Sequence, residues 1–230
     1  MALTTFSIKD VNVTVLGNFN PAILRPDFLT RECKIIDLGQ VIEQSLPEIP
    51  TLSHIKYKDI WWTVELNRII VRDLSLSGKA PHVLSKYLEP LPHTPLLAAG
   101  INLFADLVIS DVTVAACKLL NPTSMFEILR KFEASQIYMT VRYRVVSEVS
   151  SIPERFILEY VTYDQARVLM QIELEAAPFL RAHYNWEIRG LDIDRNRLRL
   201  IQNEYGRVYD DFKSLMQSSL KSDQDSEEKK

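Results

Sequence analysis

Apolar and polar residues alternate along much of the chain, with the two-residue period of β-strands. The longest such run is 97–109, and shorter ones occupy 6–15, 137–145, 156–160, 168–174 and 184–188. Residues 55–71 are rich in β-branched and aromatic side chains with a reversal near Asn67, which predicts two strands. Turn signals rather than helices separate the later runs, so we expect antiparallel pairing.

A helical period replaces this alternation near the end of the chain. Apolar residues recur there at steps of 3 and 4, namely Leu198, Ile201, Tyr205, Val208, Phe212 and Leu215. This stripe predicts one long helix that begins near Asp192 or Asp194, ends near Leu220 and packs closely around Gly206. Shorter helices are expected at 81–88 and 121–132, with two more between residues 26 and 46.

These elements indicate an α+β fold: a mostly antiparallel sheet with short helices and a long C-terminal helix packed on it. A doubly wound parallel sheet is the weaker alternative. Residues 1–220 contain no flexible Gly, Ser or Pro linker and are expected to form a single domain. Residues 221–230 contain no apolar side chain, which predicts a disordered charged tail.

Composition narrows the class of protein further. The chain of 230 residues is 47% hydrophobic and 25% charged, as is typical of a globular domain. Its formal charge of -3 argues against nucleic acid and anionic membranes as general partners. The chain shows neither an N-terminal secretion signal nor an apolar run of roughly 20 residues, so we expect a cytoplasmic protein without a membrane span.

Motifs for catalysis or metal binding do not emerge from the sequence. The four histidines and the two cysteines, Cys33 and Cys117, lack metal-ligand spacing, and neither cysteine has a neighbouring histidine. Glu32-Cys33-Lys34 after Pro26-Asp27 has residue types used in metal-assisted phosphodiester chemistry, but the interval is too short to bring them together from separate strands. We therefore predict no catalytic residue, no metal and no cofactor.

Two features indicate partner binding instead. The segment from Arg181 to Arg207 is net basic, and Arg195, Arg197 and Arg199 lie at the start of a helix whose dipole disfavours cations. Internal ion pairs would be the simpler account of these arginines. Trp61 and Trp62 are adjacent in a predicted strand, so their side chains must point to opposite faces. One of them needs a second cover, either a helix of the same chain or another protein.

The leading hypothesis is therefore a non-enzymatic cytoplasmic interaction protein, a subunit or adaptor of a larger assembly. Arg195, Arg197, Arg199, Trp61 and Trp62 are its candidate partner-binding residues, and the partner is another protein or a second copy of the chain. One alternative is a small-ligand-binding domain with a cavity between the curved sheet and the C-terminal helix. The other is an enzyme whose catalytic residues are scattered along the sequence.

Overall fold

The computed structural model describes residues 3–37, 43–45, 51–109, 135–147, 150–161, 166–174, 179–190 and 195–221. The strands in these ranges are β1 (Leu3–Gly17), β2 (Glu43–Ser45), β3 (Leu52–Tyr57), β4 (Ile60–Glu65), β5 (Arg68–Asp73), β6 (Leu96–Ile109), β7 (Ser135–Ser147), β8 (Ser150–Val161), β9 (Arg167–Leu174) and β10 (Phe179–Arg189). The helices are α1 (Ala80–Leu88) and α2 (Arg195–Lys221), and single helical turns occur at Pro21–Ile23 and Phe28–Glu32.

The fold is α+β with antiparallel strand pairing, as the sequence predicts. The described chain divides into two compact units, each built from several stretches of sequence. The first unit contains residues 1–9, 103–186 and 208–230, and the second contains residues 10–102 and 187–207. That residues 1–220 form one cooperative domain stays a prediction.

In the second unit, hydrogen-bonded strands follow the order β2-β3-β4-β5-β1-β6-β10. Its core is a row of residues paired across four strands, Ile55, Trp62, Val71 and Val13, all fully buried. Helix α1 covers this face, and its Tyr87 ring lies 5.3 Å from the Trp62 ring. Pro81 in the first turn suits the helix start, where an N–H has no intrahelical partner.

In the first unit, the strand order is β1-β6-β10-β9-β8-β7. The β8–β9 pair buries Leu158, Val168 and Met170. The ring of Phe212, from α2, packs 5.8 Å from Phe6 of β1 and 5.3 Å from Tyr184 of β10. Here the C-terminal helix covers the sheet as predicted.

Helix α2 confirms the apolar stripe along its length. Five of the six predicted residues are buried, and Tyr205 is half-buried. The expectation of close packing around Gly206 is wrong, since a Cβ added there meets no atom of the described chain within 4 Å. The glycine is exposed on the polar side of the helix.

Three other local predictions need correction. Residues 52–73 form three strands rather than two, because Lys58 adopts a positive φ of 52° in a second tight turn. Glu43–Ser45 form strand β2 rather than a helix, and pair with β3. Leu97 is 50% exposed, while its neighbours Leu96 and Ala98 are buried, so the alternation in β6 changes phase before Ala99.

Several predictions lie outside the described residues. These are the helix at 121–132, the continuation of β6 through Val112 and Val114, the turn at 163–165, and the predicted tail at 221–230 except Lys221, which is the last residue of α2. Cys117, Asp192 and Asp194 also lie there.

Candidate functional site

The strands that bury Trp62 expose Trp61 on the opposite side. Trp61 and Trp62 are neighbours in β4; Trp61 is 38% exposed, whereas Trp62 is fully buried. Strand pairing arranges its neighbours in regular rows, since residues opposite each other in paired strands share a face. The residues of β3, β4, β5 and β1 that share a side of the sheet with Trp61 form a surface that we call the Trp61 face. They are Leu52, His54, Lys56, Trp61, Thr63, Glu65, Arg68, Ile70, Arg72, Asn12, Thr14 and Leu16.

Cationic residues flank Trp61 on both neighbouring strands. Lys56 is its register partner on β3, and Arg72 is its partner on β5. The Arg72 guanidinium carbon lies 5.7 Å from the centre of the indole ring, within the range of a cation–π interaction. The His54 ring contacts the same indole edge-on at a centroid distance of 6.4 Å. Side chains of both neighbouring strands therefore contact the exposed tryptophan.

The polar groups of this face are tied to one another. Arg72 Nε lies 3.1 Å from Asp10 Oδ2, and Arg68 pairs with Glu65 at 2.7 Å. His54 Nδ1 and Thr63 Oγ1 share a hydrogen bond of 3.0 Å. Burial raises the pKa of Asp10, although the Arg72 charge and a backbone hydrogen bond from Val11 act in the opposite direction.

An amide cluster closes the β1 side of the Trp61 face. Asn102 Nδ2, on β6, donates to Asn12 Oδ1 at 3.1 Å, and Thr14 Oγ1 donates to the same oxygen at 3.2 Å. Leu16, farther along β1, is 39% exposed. The face thus combines one large aromatic ring and an exposed leucine with paired charges, a composition common at protein interfaces.

The candidate arginines lie elsewhere. Arg195 begins α2 and Arg197 lies in its first turn, as predicted, but the structure does not describe their side chains. Arg199 is exposed. Three flanking arginines make internal ion pairs: Arg181 with Asp106 at 3.5 Å, Arg189 with Glu187 at 2.5 Å, and Arg207 with Glu204.

The structure does not bring the arginines and Trp61 together. Near its start, α2 packs along α1, where Leu198 and Ile201 share a crevice with Leu84 and Leu88. Since α1 covers the Trp62 side of the sheet, the start of α2 with Arg199 lies on that side, opposite the Trp61 face. They are therefore two separate candidate surfaces.

The crevice between α1 and α2 leaves no room for a water molecule. A ligand cavity between the curved sheet and the C-terminal helix stays a prediction. A cavity of about 210 Å³ lies elsewhere in the second unit, beside the β3–β4 turn and the start of α1. No pattern in the sequence pointed to it.

Of the two cysteines weighed for catalysis, the structure describes Cys33, which lies in the core. Cys33 is a free, buried thiol whose pKa burial raises to about 12, with smaller contributions from Glu32 and Glu89. Its Sγ lies 4.0 Å from the Tyr87 carbonyl oxygen. Among the described residues, no group of three His, Cys, Asp or Glu side chains could hold a metal ion.

His183 is similarly engaged in packing. Its ring stacks on Phe104 at a centroid distance of 4.3 Å, and burial lowers the pKa of the imidazole. Within the described part of the chain, neither helix is long and apolar enough to cross a bilayer.

Comparisons with known proteins give little support for a family. No family model matches the chain, and no curated protein matches it. Among solved structures, the regulatory subunit of aspartate kinase from Thermus flavus is similar over 95% of this chain and 99% of that chain. The identity is 12% and the TM-score 0.25, too low to bear on fold or function.

Proposed function

We propose that this protein is a non-enzymatic cytoplasmic interaction protein that binds another protein through the Trp61 face. The observation that carries the proposal is the exposure of Trp61 in the middle of a regular four-strand surface, where Arg72 and His54 contact the ring. Tryptophan has only two side-chain torsions and loses little conformational entropy on binding, which favours it as an interface anchor.

The surroundings of the ring indicate the chemistry of the partner. Tryptophan and arginine are the residues most often found at energetic hot spots, and Lys56 and Arg72 lie directly beside Trp61. An apolar pocket would receive the indole, and because Arg72 and Arg68 already pair with Asp10 and Glu65, a rim of mixed charge would match the rest of the face. We therefore expect a partner surface that is apolar at its centre and carries both signs of charge around it.

The face is wide enough for a modest interface. Four strands at about 4.8 Å spacing and rows about 6.8 Å apart give a patch of several hundred Å². This is about half of the roughly 800 Å² that each partner buries in a standard interface. Neighbouring exposed residues, such as Leu66 at 50%, would extend it.

Trp61→Ala tests the proposal. Affinity-purified chain from its source cells should recover one stoichiometric partner, identified by mass spectrometry, and Trp61→Ala should reduce that recovery at least tenfold. Leu74→Ala is the matched control, since Leu74 is 44% exposed but lies outside the face. Thermal unfolding of each variant checks that the fold is retained.

A crosslink locates the contact independently of affinity. A photoreactive residue placed at Thr63 should crosslink the same partner, whereas one at Leu74 should not. If the folded Trp61→Ala variant retains the partner in full, the proposed surface is wrong.

A further inference from the structure

The cavity of about 210 Å³ lies between three segments of the second unit. The β3–β4 turn contributes Tyr57 to Ile60, the chain after the Phe28–Glu32 turn contributes Ile35 and Asp37, and the β5–α1 loop contributes Ser75, Ser77 and Lys79. Val83 closes it from α1. A water molecule takes about 30 Å³ in the liquid, so the space suits several waters or one small organic molecule.

The walls of this cavity are held in place by hydrogen bonds. The Asp73 carboxylate accepts four hydrogen bonds. Its Oδ1 accepts from Ser75 N at 3.2 Å and Ser75 Oγ at 2.9 Å, and its Oδ2 accepts from Ser77 Oγ and Lys79 N at 3.0 Å each. The Leu74 N–H donates to the Asp59 carbonyl oxygen at 2.8 Å, which ties this loop to the β3–β4 turn. These bonds restrain the loop that lines the cavity.

These same bonds argue against a phosphate site. The N–H and hydroxyl donors of the loop, which an incoming anion would need at the start of α1, already point to the Asp73 carboxylate. The chain's own carboxylate occupies the position that an external anion would take. Recognition has to come from the side chains at the rim of the cavity.

The floor is apolar and the rim carries both signs of charge. Ile35, Ile60 and Val83 form the apolar part, with Tyr57 beside them. Lys58 Nζ lies 4.9 Å from the Tyr57 ring centre. Lys79 and Asp59 are both exposed, and neither makes a side-chain ion pair within the part of the chain that the structure describes.

We infer that this cavity binds a small zwitterion with a branched aliphatic side chain, the chemistry of a free α-amino acid. Lys79 binds its carboxylate, Asp59 binds its ammonium group, and Ile35, Ile60 and Val83 contact its side chain. Four charged residues line the cavity, but Asp37 has another interaction in the structure and Lys58 lies against the Tyr57 ring, which leaves Lys79 and Asp59 for the ligand. A ligand with only one charge would interact with only one of these two groups. This inference is independent of the proposed protein-binding function.

Three probes of the same shape test the inference by calorimetric titration of the full chain. L-leucine carries both charges, 4-methylpentanoate lacks the ammonium group, and 3-methylbutylamine lacks the carboxylate. We expect L-leucine to bind with one-to-one stoichiometry and each single-charge analogue to bind at least tenfold more weakly, because charge-assisted hydrogen bonds are the stronger ones.

Variants assign each charge to its partner. Lys79→Met should weaken L-leucine at least tenfold while leaving 3-methylbutylamine unchanged, and Asp59→Asn should weaken L-leucine equally while leaving 4-methylpentanoate unchanged. Lys86→Met, on α1 but outside the cavity lining, is the matched control and should alter affinity less than twofold. All three variants should keep the wild-type unfolding temperature, which is checked before titration.

Three results would overturn the inference. The first is that L-leucine at tens of millimolar produces no measurable heat of binding and no change in the amide chemical shifts of the protein in NMR spectra. The second is equal affinity for L-leucine and 4-methylpentanoate, which would indicate a simple anion site. The third is full L-leucine affinity in both the Lys79→Met and the Asp59→Asn variants, which would place the ligand elsewhere.

Discussion

Asp73 is the side chain whose replacement should best reveal how the second unit is held together. It is fully buried, and its two oxygens accept four hydrogen bonds from the loop that leads into α1. We predict that Asp73→Asn destabilises the protein strongly. The substitution keeps the size of the side chain, so the effect comes from its hydrogen bonding and charge.

The magnitude follows from the geometry. An asparagine can keep its carbonyl oxygen toward Ser75, but its NH₂ group would then face Ser77 Oγ and the Lys79 N–H. The serine hydroxyl can rotate and accept, whereas the Lys79 N–H cannot and loses its acceptor. A hydrogen bond to a charged group contributes about 1.5–3 kcal/mol, and a negative charge at a helix start adds about 0.3–1 kcal/mol. We expect a loss of about 2–4 kcal/mol at pH 7.

The effect should also depend on pH. Burial alone raises the pKa of Asp73, but the hydrogen bonds from Ser75, Lys79 and Ser77 outweigh it, and the folded-state pKa lies below its ordinary value. This stabilisation is therefore fully present above the unfolded-state pKa of about 3.9 and is lost as the pH falls through the folded-state pKa. The difference between wild type and Asp73→Asn should narrow as the pH falls below about 4.

Urea unfolding followed by circular dichroism, at pH 7 and at steps between pH 5 and pH 2, measures both quantities. Asp27→Asn is the control, because Asp27 is exposed and its side chain makes no capping hydrogen bond. That variant should differ from wild type by less than about 0.5 kcal/mol. An Asp73→Asn midpoint equal to that of wild type, or a difference that widens in acid, would refute the reasoning.

Four further predictions concern other parts of the chain. Ile201→Ala should cost about 2–5 kcal/mol because the side chain is 2% exposed; an unchanged unfolding midpoint with a shift from dimer to monomer on gel filtration would instead show a coiled-coil homodimer. In a Cys117→Ser variant, native Cys33 should resist a thiol reagent at pH 8 and react on unfolding, since its pKa is raised to about 12; rapid reaction of this folded variant would contradict the burial of Cys33. Limited proteolysis should first remove only the segment after about residue 219; two stable fragments separated near residues 90–95 or 149–153 would disprove the single domain. Replacing Arg195, Arg197 and Arg199 at the start of α2 together by glutamate should preserve folding, and loss of partner capture would support a docking surface there. Partner binding that weakens steeply with salt would indicate nucleic acid, and full capture would show that these arginines are not part of the interface.

The local periodicity of the sequence was enough to predict most elements. Period-two runs correctly located β1, β6 and the strands from β7 to β10, and steps of 3 and 4 located α2. Such periods arise because one side of each element contacts apolar neighbours, whichever neighbours these are. The sequence contains no signal for the second tight turn at Lys58, since lysine is not a residue that favours positive φ.

The candidate site, too, could be predicted from the sequence only in part. Adjacent positions in a strand meant that Trp61 and Trp62 would face opposite ways, and they do. The sequence could not say which of them would be buried, because that depends on α1 packing its Tyr87 ring onto Trp62 from 25 residues away. Only the tertiary structure therefore shows that Trp61 is the exposed one.

The sequence by itself determined the α+β class, the antiparallel sheet and the buried stripe of the C-terminal helix, because each follows from a repeat that a single element carries. Tertiary structure alone decided that Arg199 and Trp61 lie on different surfaces, that Arg72 and Asp10 pair beside Trp61, and that a cavity forms next to Lys79. These arrangements depend on strand order, register and helix placement. Contacts between residues far apart in the chain set all three, and no local pattern encodes them.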